Sequence, residues 1–319
     1  GMELAMNEHL IGVPGQRYLA KDLDGIIPGT EEVVSKVKHG NDVVLTIDSV
    51  LQSEAESLVQ NVVAKSHAQY GSVVVLDANT GDVLVMANAT GVDTIKNAPK
   101  GLQKLLLTKN WAVEGANEPG STFKSFTIAS ALDAGVITTN SSFFCNGERR
   151  IGKRAVHCAP HGAFQHGHAS QDVSGVIKQS CNVATAEIAS RLGWDRLTST
   201  LHAVGCGQRL EIGLNGATRG VFPENESKIG LATLSFGQGP AISPLHLASA
   251  YGTFVDGRFR RPTLIHAVRD QVSGAVNLTK RSEAERVFSA ETATQMRSLL
   301  KDVIETGTGV KAQLAFHDA

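Results

Sequence analysis

Ser121 and Lys124 stand three residues apart in NEPGSTFKSFTIASALDAG (117–135), where a Pro-Gly turn opens a helical pattern predicted over 121–134. Positions i and i+3 of a helix are neighbours, so the amine at 124 can reach the hydroxyl at 121. A serine hydroxyl becomes a nucleophile when a base takes its proton, and a lysine is that base once desolvation or a nearby cation lowers its pKa. Phe123 and Phe126 flank the pair and can keep it dry, while the unpaired N–H groups of a first helical turn stabilise negative charge that develops beside them. The same spacing fits a serine cap followed by a solvated lysine, because S-x-x-K is common by chance. A second polar triplet, Ser180-Cys181-Asn182, sits at a break between two helical patterns in KQSCNVATAEIASRLG (178–193). A second hydroxyl can relay a proton to a leaving amine, and an Asn carboxamide can orient an amide substrate. Taken alone, Ser180 and Asn182 read as helix caps.

The elements that would carry these residues follow from periodicity. DVVLTID (42–48) reads as a strand, and Asp48 can cap the helix SVLQSEAESLVQNVVAK, which has Leu51, Ala55, Leu58, Val59 and Val62 at helical spacing. YGSVVVLDANTGDVLVMAN (70–88) is two β-branched runs about a turn, an antiparallel hairpin. Helical patterns then dominate: 172–179, 182–192, 195–204, 228–236, 244–256 and 290–305. Strands followed by a helical block predict an α+β fold, an antiparallel sheet covered by helices. Residues 1–40, rich in Gly and charge, read as an N-terminal appendage, and 41–319 as the main domain.

A chain of 319 residues, 42% hydrophobic, can bury a substantial core. Thirty basic against 31 acidic residues leave a formal net charge of −1, so no global field favours nucleic acid, and no nucleic-acid partner is expected. No apolar run approaches the roughly 18 residues of a membrane span. The four cysteines, Cys145, Cys158, Cys181 and Cys206, are too scattered for a disulfide framework. His157, Cys158, His161, His166 and His168, with Cys145 upstream, are the densest group of potential metal ligands, but they lack the tight pairs usual for zinc. They read as a polar loop near the cleft, with no metal and no cofactor expected. Cys181 reads as a buried residue at a helix start rather than a catalytic thiol. FGQG (236–239) lacks the phosphate-loop pattern and reads as a tight turn.

With these motifs in hand, the chain resembles the transpeptidase domain of penicillin-binding proteins, the monofunctional class B type above all. WAVEGANEPGSTFK matches the family's S-x-x-K stretch and SCN its second motif in the S-x-N form. GVPGQR, VVLTIDSVLQ, GSVVVLDANTGDVLVMA and LSFGQGPAISPLHLASAYGTFVDG follow in family order, so the similarity runs from about residue 1 to about 312. The resemblance implies the fold of penicillin-binding proteins and serine β-lactamases and a D,D-transpeptidase of peptidoglycan synthesis. Ser121 would attack a D-Ala-D-Ala stem peptide and Lys124 would take its proton. Ser180 would serve in proton relay, and Asn182 in substrate binding. β-Lactams would acylate Ser121. It further implies the extracytoplasmic face of the bacterial membrane, an anchor outside these residues, a membrane glycosyltransferase as partner, and a possible Cys145–Cys158 disulfide.

The family's third motif, Lys-Thr/Ser-Gly, does not occur in the sequence; Thr306-Gly307-Thr308-Gly309 matches the segment that precedes it. That motif brings a cation, hydroxyl contacts to the substrate carboxylate and an oxyanion-hole N–H, and one such donor is worth about 10² to 10³ in rate. The expectation is a fragment of an active enzyme, its third motif and C-terminal strands lying outside the chain and the Val73 to Ala87 hairpin left without sheet partners. A non-catalytic wall-synthesis scaffold and a serine β-lactamase or β-lactam sensor are the alternative readings.

Overall fold

The computed structural model of the chain describes residues 1–23, 25–158 and 166–314. Its largest core forms around the helix Lys124–Asp133, which is buried on every side from Lys124 to Leu132. Helices Val173–Lys178, Asn182–Leu192, Trp194–Ala203 and Ala290–Thr306 surround it with Val176, Ile188, Leu197, Leu201 and Met296. Phe126 stacks on Phe254 at 5.2 Å between ring centroids, and Phe254 stacks on Phe288 at 5.8 Å, giving the centre a column of aromatic rings. Each such ring removed to alanine typically costs about 3–5 kcal/mol.

The strands lie in small antiparallel groups. Asp42–Leu45 pairs with Ile265–Arg269, which pairs with Val276–Leu278. The hairpin Tyr70–Leu76 and Val83–Thr90 turns through Asp77, whose carboxylate accepts from the Asn79 N–H at 2.8 Å. Among the described residues these two strands pair with each other, with one parallel bridge from Asp82 to Thr263. Thr46 joins the two groups, donating its hydroxyl to the Val83 and Thr263 carbonyls at 2.7 and 3.0 Å.

The helix Ser49–Lys65 begins where expected, with the Asp48 carboxylate accepting from the Val50 and Leu51 N–H groups. Its apolar stripe is narrower than the sequence pattern suggests. Ala55, Val59 and Val63 are buried against Val85 and Ala87, while Leu51, Leu58 and Val62 are exposed. A two-stranded ribbon covers one i, i+4 row of a helix and leaves the flanking rows in solvent. A second difference lies around the histidine and cysteine group read from sequence as a polar loop: Phe143–Cys145 pairs with Ala169–Gln171, and Glu148–Ile151 with Arg154–His157. Residues 1–40 form short helices and two-stranded ribbons in which no described residue is buried.

The helix Pro244–Tyr251 holds a buried imidazole. His246 Nδ1 lies 2.7 Å from Ser243 Oγ and Nε2 2.8 Å from the Gln208 carbonyl, an arrangement that fits the neutral ring. Burial pulls its pKa below the ordinary 6.5, against the opposing pull of the Gln208 carbonyl. The unfolded chain therefore binds the proton more readily as pH falls through about 6.5, and stability is lost by up to about 1.4 kcal/mol per pH unit. Denaturant unfolding at pH 7.5 and 5.5 is expected to show this loss, and His246→Gln to show less of it. Equal slopes for the two proteins would exclude His246 as its source.

Candidate active site

The nucleophile turn is a short 3₁₀ segment, Gly120–Phe123, that runs directly into the helix Lys124–Asp133. The tighter winding leaves Ser121 exposed while Lys124 is only 1% exposed. Phe123 and Phe126, which flank the lysine in sequence, are both buried and meet edge to face at 5.9 Å between ring centroids. Lys124 Nζ lies 2.8 Å from Ser121 Oγ.

The second motif closes on the same amine. Ser180 has φ +54, a left-handed conformation rare for serine and costing about 1–3 kcal/mol. In that conformation both its carbonyl oxygen and its hydroxyl oxygen face Lys124 Nζ, at 2.9 and 2.7 Å. Ser180 Oγ is also 2.9 Å from Ser121 Oγ. Two hydroxyls and one amine thus form a closed triangle. Burial lowers the Lys124 pKa from 10.5 to about 8, and the nearby Cys158 and Cys181 thiols oppose the shift. Asn182, the first residue of its helix, is placed differently from these three: its side-chain N–H donates to the His157 carbonyl at 2.9 Å.

A frame that the sequence reading passed over holds the turn. Gly120 N–H donates to the Gly237 carbonyl at 3.0 Å, and Asn117 pairs through its backbone with Ile242. Glu118 accepts from the Gly239 N–H at 2.8 Å, and Thr127 donates to the Ser235 carbonyl at 2.8 Å. Tyr251 donates its hydroxyl to the Thr122 carbonyl at 2.9 Å and lies 3.0 Å from Ser125 Oγ. FGQG is thus a tight turn whose backbone is pressed against the nucleophile's own. On the other side, Tyr70 stacks on Trp111 at 3.9 Å and donates to the Asn117 side chain at 2.6 Å, with Lys109 Nζ 4.3 Å above the indole.

Of the grouped histidines and cysteines, His157 and His166 are exposed, and His161 lies outside the described residues. Cys145, Cys158, Cys181 and His168 converge behind the second motif, their ligand atoms within 4.8 Å of one another. Cys181 is fully buried and caps the helix Asn182–Leu192, accepting from the Ala184 N–H.

The geometry has counterparts among known proteins. The sequence profile "Penicillin binding protein transpeptidase domain" matches residues 71–318. The "Probable peptidoglycan D,D-transpeptidase PenA" of Neisseria meningitidis is 33% identical over 314 residues, 96% of this chain and 50% of that protein. Peptidoglycan D,D-transpeptidase FtsI of Escherichia coli is 30% identical over 328 residues, 98% and 50% of the two chains. The chain therefore spans about half the length of these curated relatives. Among solved structures, ligand-free penicillin-binding protein 3 of Mycobacterium tuberculosis superposes with a TM-score of 0.79 at 30% identity, covering 98% of this chain and 72% of that one. The aztreonam complex of the same protein gives 0.78 at 28% identity, over 95% and 76%. With the profile spanning most of the chain and the α+β architecture shared across these structures, the chain belongs to the penicillin-binding protein transpeptidase family, and its relatives are of the monofunctional class B type.

Proposed function

We propose that this chain carries the acyl-transfer site of a peptidoglycan D,D-transpeptidase that also reacts with penicillins. The observation that carries the reading is the triangle of Ser121 Oγ, Lys124 Nζ and Ser180 Oγ, with sides of 2.7 to 2.9 Å around an amine whose pKa is lowered to about 8. With Lys124 neutral, every hydrogen has a place. Ser121 O–H donates to the amine lone pair, the amine donates to the Ser180 carbonyl and hydroxyl oxygens, and Ser180 O–H donates to Ser121 Oγ.

Ser121 Oγ attacks the carbonyl of the penultimate D-Ala and Lys124 takes its proton, so an O–C bond forms. The bond to the terminal D-Ala then breaks as the amine proton passes through Ser180 to the leaving nitrogen. An amine of a second stem peptide attacks the ester, loses its proton to the same pair, and Ser121 leaves as a hydroxyl. No cofactor enters this scheme. Asn182 is assigned to substrate binding, beside the acylated serine, on its place in the S-x-N motif. Such a reaction belongs on the extracytoplasmic face of the membrane, beside the glycosyltransferase that polymerises the strands being joined. Among the described residues no helix is long and apolar enough to cross a membrane, so the reading puts any anchor outside them.

The test is covalent. The full-length gene product is treated with a penicillin, digested and mapped by mass spectrometry. An adduct on Ser121 is the expected result. A protein that acquires no adduct, or acquires it on another side chain, refutes the proposal.

A further inference from the structure

We infer that Cys145, Cys158, Cys181 and His168 form a tetrahedral zinc site directly behind the second motif. The expectation from sequence was a polar loop without metal, since the cysteines are far apart in the chain and no ligand pair has zinc-finger spacing. Folding removes that objection. Cys145 ends the strand Phe143–Cys145, Cys158 follows the strand Arg154–His157, and Cys181 starts the helix Asn182–Leu192. The Sγ atoms of Cys145 and Cys158 are 3.6 Å apart, as are those of Cys158 and Cys181. A zinc ion with Zn–S bonds of about 2.3 Å and tetrahedral angles sets its sulfurs about 3.8 Å apart. A disulfide would need about 2 Å, and could join only two of the three thiols. His168 is buried, and its ring offers a nitrogen within the 4.8 Å that spans the whole group.

The surroundings suit the thiolates that a bound metal would create. Each sulfur faces one backbone N–H: Gly147 N lies 3.4 Å from Cys145 Sγ, Val183 N 3.4 Å from Cys158 Sγ, and Ala184 N 3.3 Å from Cys181 Sγ. Backbone donors aimed at the sulfurs hold the ligands in place and disperse their charge in metal–thiolate sites. The first is made by a knuckle, Cys145-Asn146-Gly147, in which Gly147 takes φ +92 and packs against the Gly167 backbone. Three sulfur ligands and one imidazole, all buried but the half-buried Cys158, favour zinc over the oxygen-seeking cations. On binding, the three thiols release their protons to solvent and zinc takes one bond from each sulfur and one from the imidazole, with no redox change. The ion would pin a strand, a loop and a helix start together one residue from Ser180, making it a positioning device for the second motif.

The full-length protein, purified without chelator or added metal, is expected to hold about one zinc per chain by elemental mass spectrometry. Exchange for cobalt should give the intense visible bands of tetrahedral coordination together with thiolate-to-cobalt charge transfer. Cys158→Ala and His168→Ala are each expected to lose the zinc, while Cys206→Ala, at a buried thiol outside the group, keeps it. If the ligand variants fail to fold, the zinc content and the cobalt spectrum of the unmodified protein decide alone. Two results overturn the inference: no zinc taken up by the reduced protein when zinc is supplied, or a Cys145–Cys158 disulfide peptide recovered from protein never exposed to reductant.

Discussion

Replacing Lys124 by methionine is expected to slow acylation of Ser121 by a penicillin about 10²- to 10⁴-fold, the usual contribution of a positioned general base. Methionine keeps most of the buried volume and removes the proton acceptor. In the unmodified protein the acylation rate should rise with pH, because the neutral amine is the active form, and level off above a midpoint near the Lys124 pKa of about 8. Below that midpoint the rate should fall about tenfold per unit, as the neutral fraction does. The groups that bear on this amine are Ser121, Ser180, and Cys158 and Cys181, whose sulfurs when ionised hold the pKa up. Stability gives an independent readout. The folded pKa lies below the unfolded 10.5, so between about 8 and 10.5 the unfolded chain binds more protons and stability rises with pH. At about 1.4 kcal/mol per unit this amounts to about 3 kcal/mol, and it should be missing from Lys124→Met. A variant that acylates at the normal rate, with the same pH midpoint, would remove Lys124 from the mechanism.

The second large effect is expected at Gly237. A Cβ there would lie 2.1 Å from the Gly120 carbonyl oxygen and 2.7 Å from the Gly120 nitrogen, and the residue takes φ +77. Neither neighbour is a side-chain tip that can swing aside; both belong to the turn that carries Ser121. A left-handed alanine costs about 1–2 kcal/mol and overpacking about 1–3 more, so Gly237→Ala should lose about 2–5 kcal/mol. Acylation should fall with it, since the displaced backbone is one residue from the nucleophile. Gly239→Ala is the control: its φ is +101 but a Cβ meets nothing within 4 Å, so only the backbone cost is expected. Denaturant midpoints for both variants, with acylation rates measured well below them, separate the contact from the conformation. Equal losses at the two positions would dismiss the close approach.

Most of the architecture was legible because its signals are local. Asp48 announces a helix start through a side chain that accepts from the first turn, and it does so in the structure. The S-x-x-K spacing announced the meeting of Ser121 and Lys124 for the same reason. What was hidden depends on contacts between distant segments. Nothing in FGQG shows that Gly237 lies against Gly120, and nothing in the positions of Cys145, Cys158 and Cys181 shows that their sulfurs meet. The strands of 143–171 are three or four residues long, too short for alternation to stand out. In the helix Ser49–Lys65, periodicity revealed the helix but not which row of side chains the hairpin would cover. Asn182 was legible as part of a motif, while its bond to the His157 carbonyl depends on a strand whose position the sequence left open.

The helix behind Ser121 has no face in solvent from Lys124 to Leu132. Heritable variation in that stretch is therefore judged first by whether the protein folds at all. A lineage under pressure from an antibiotic that attacks this serine would find few viable changes there, and its escape routes would gather in the segments that border the helix.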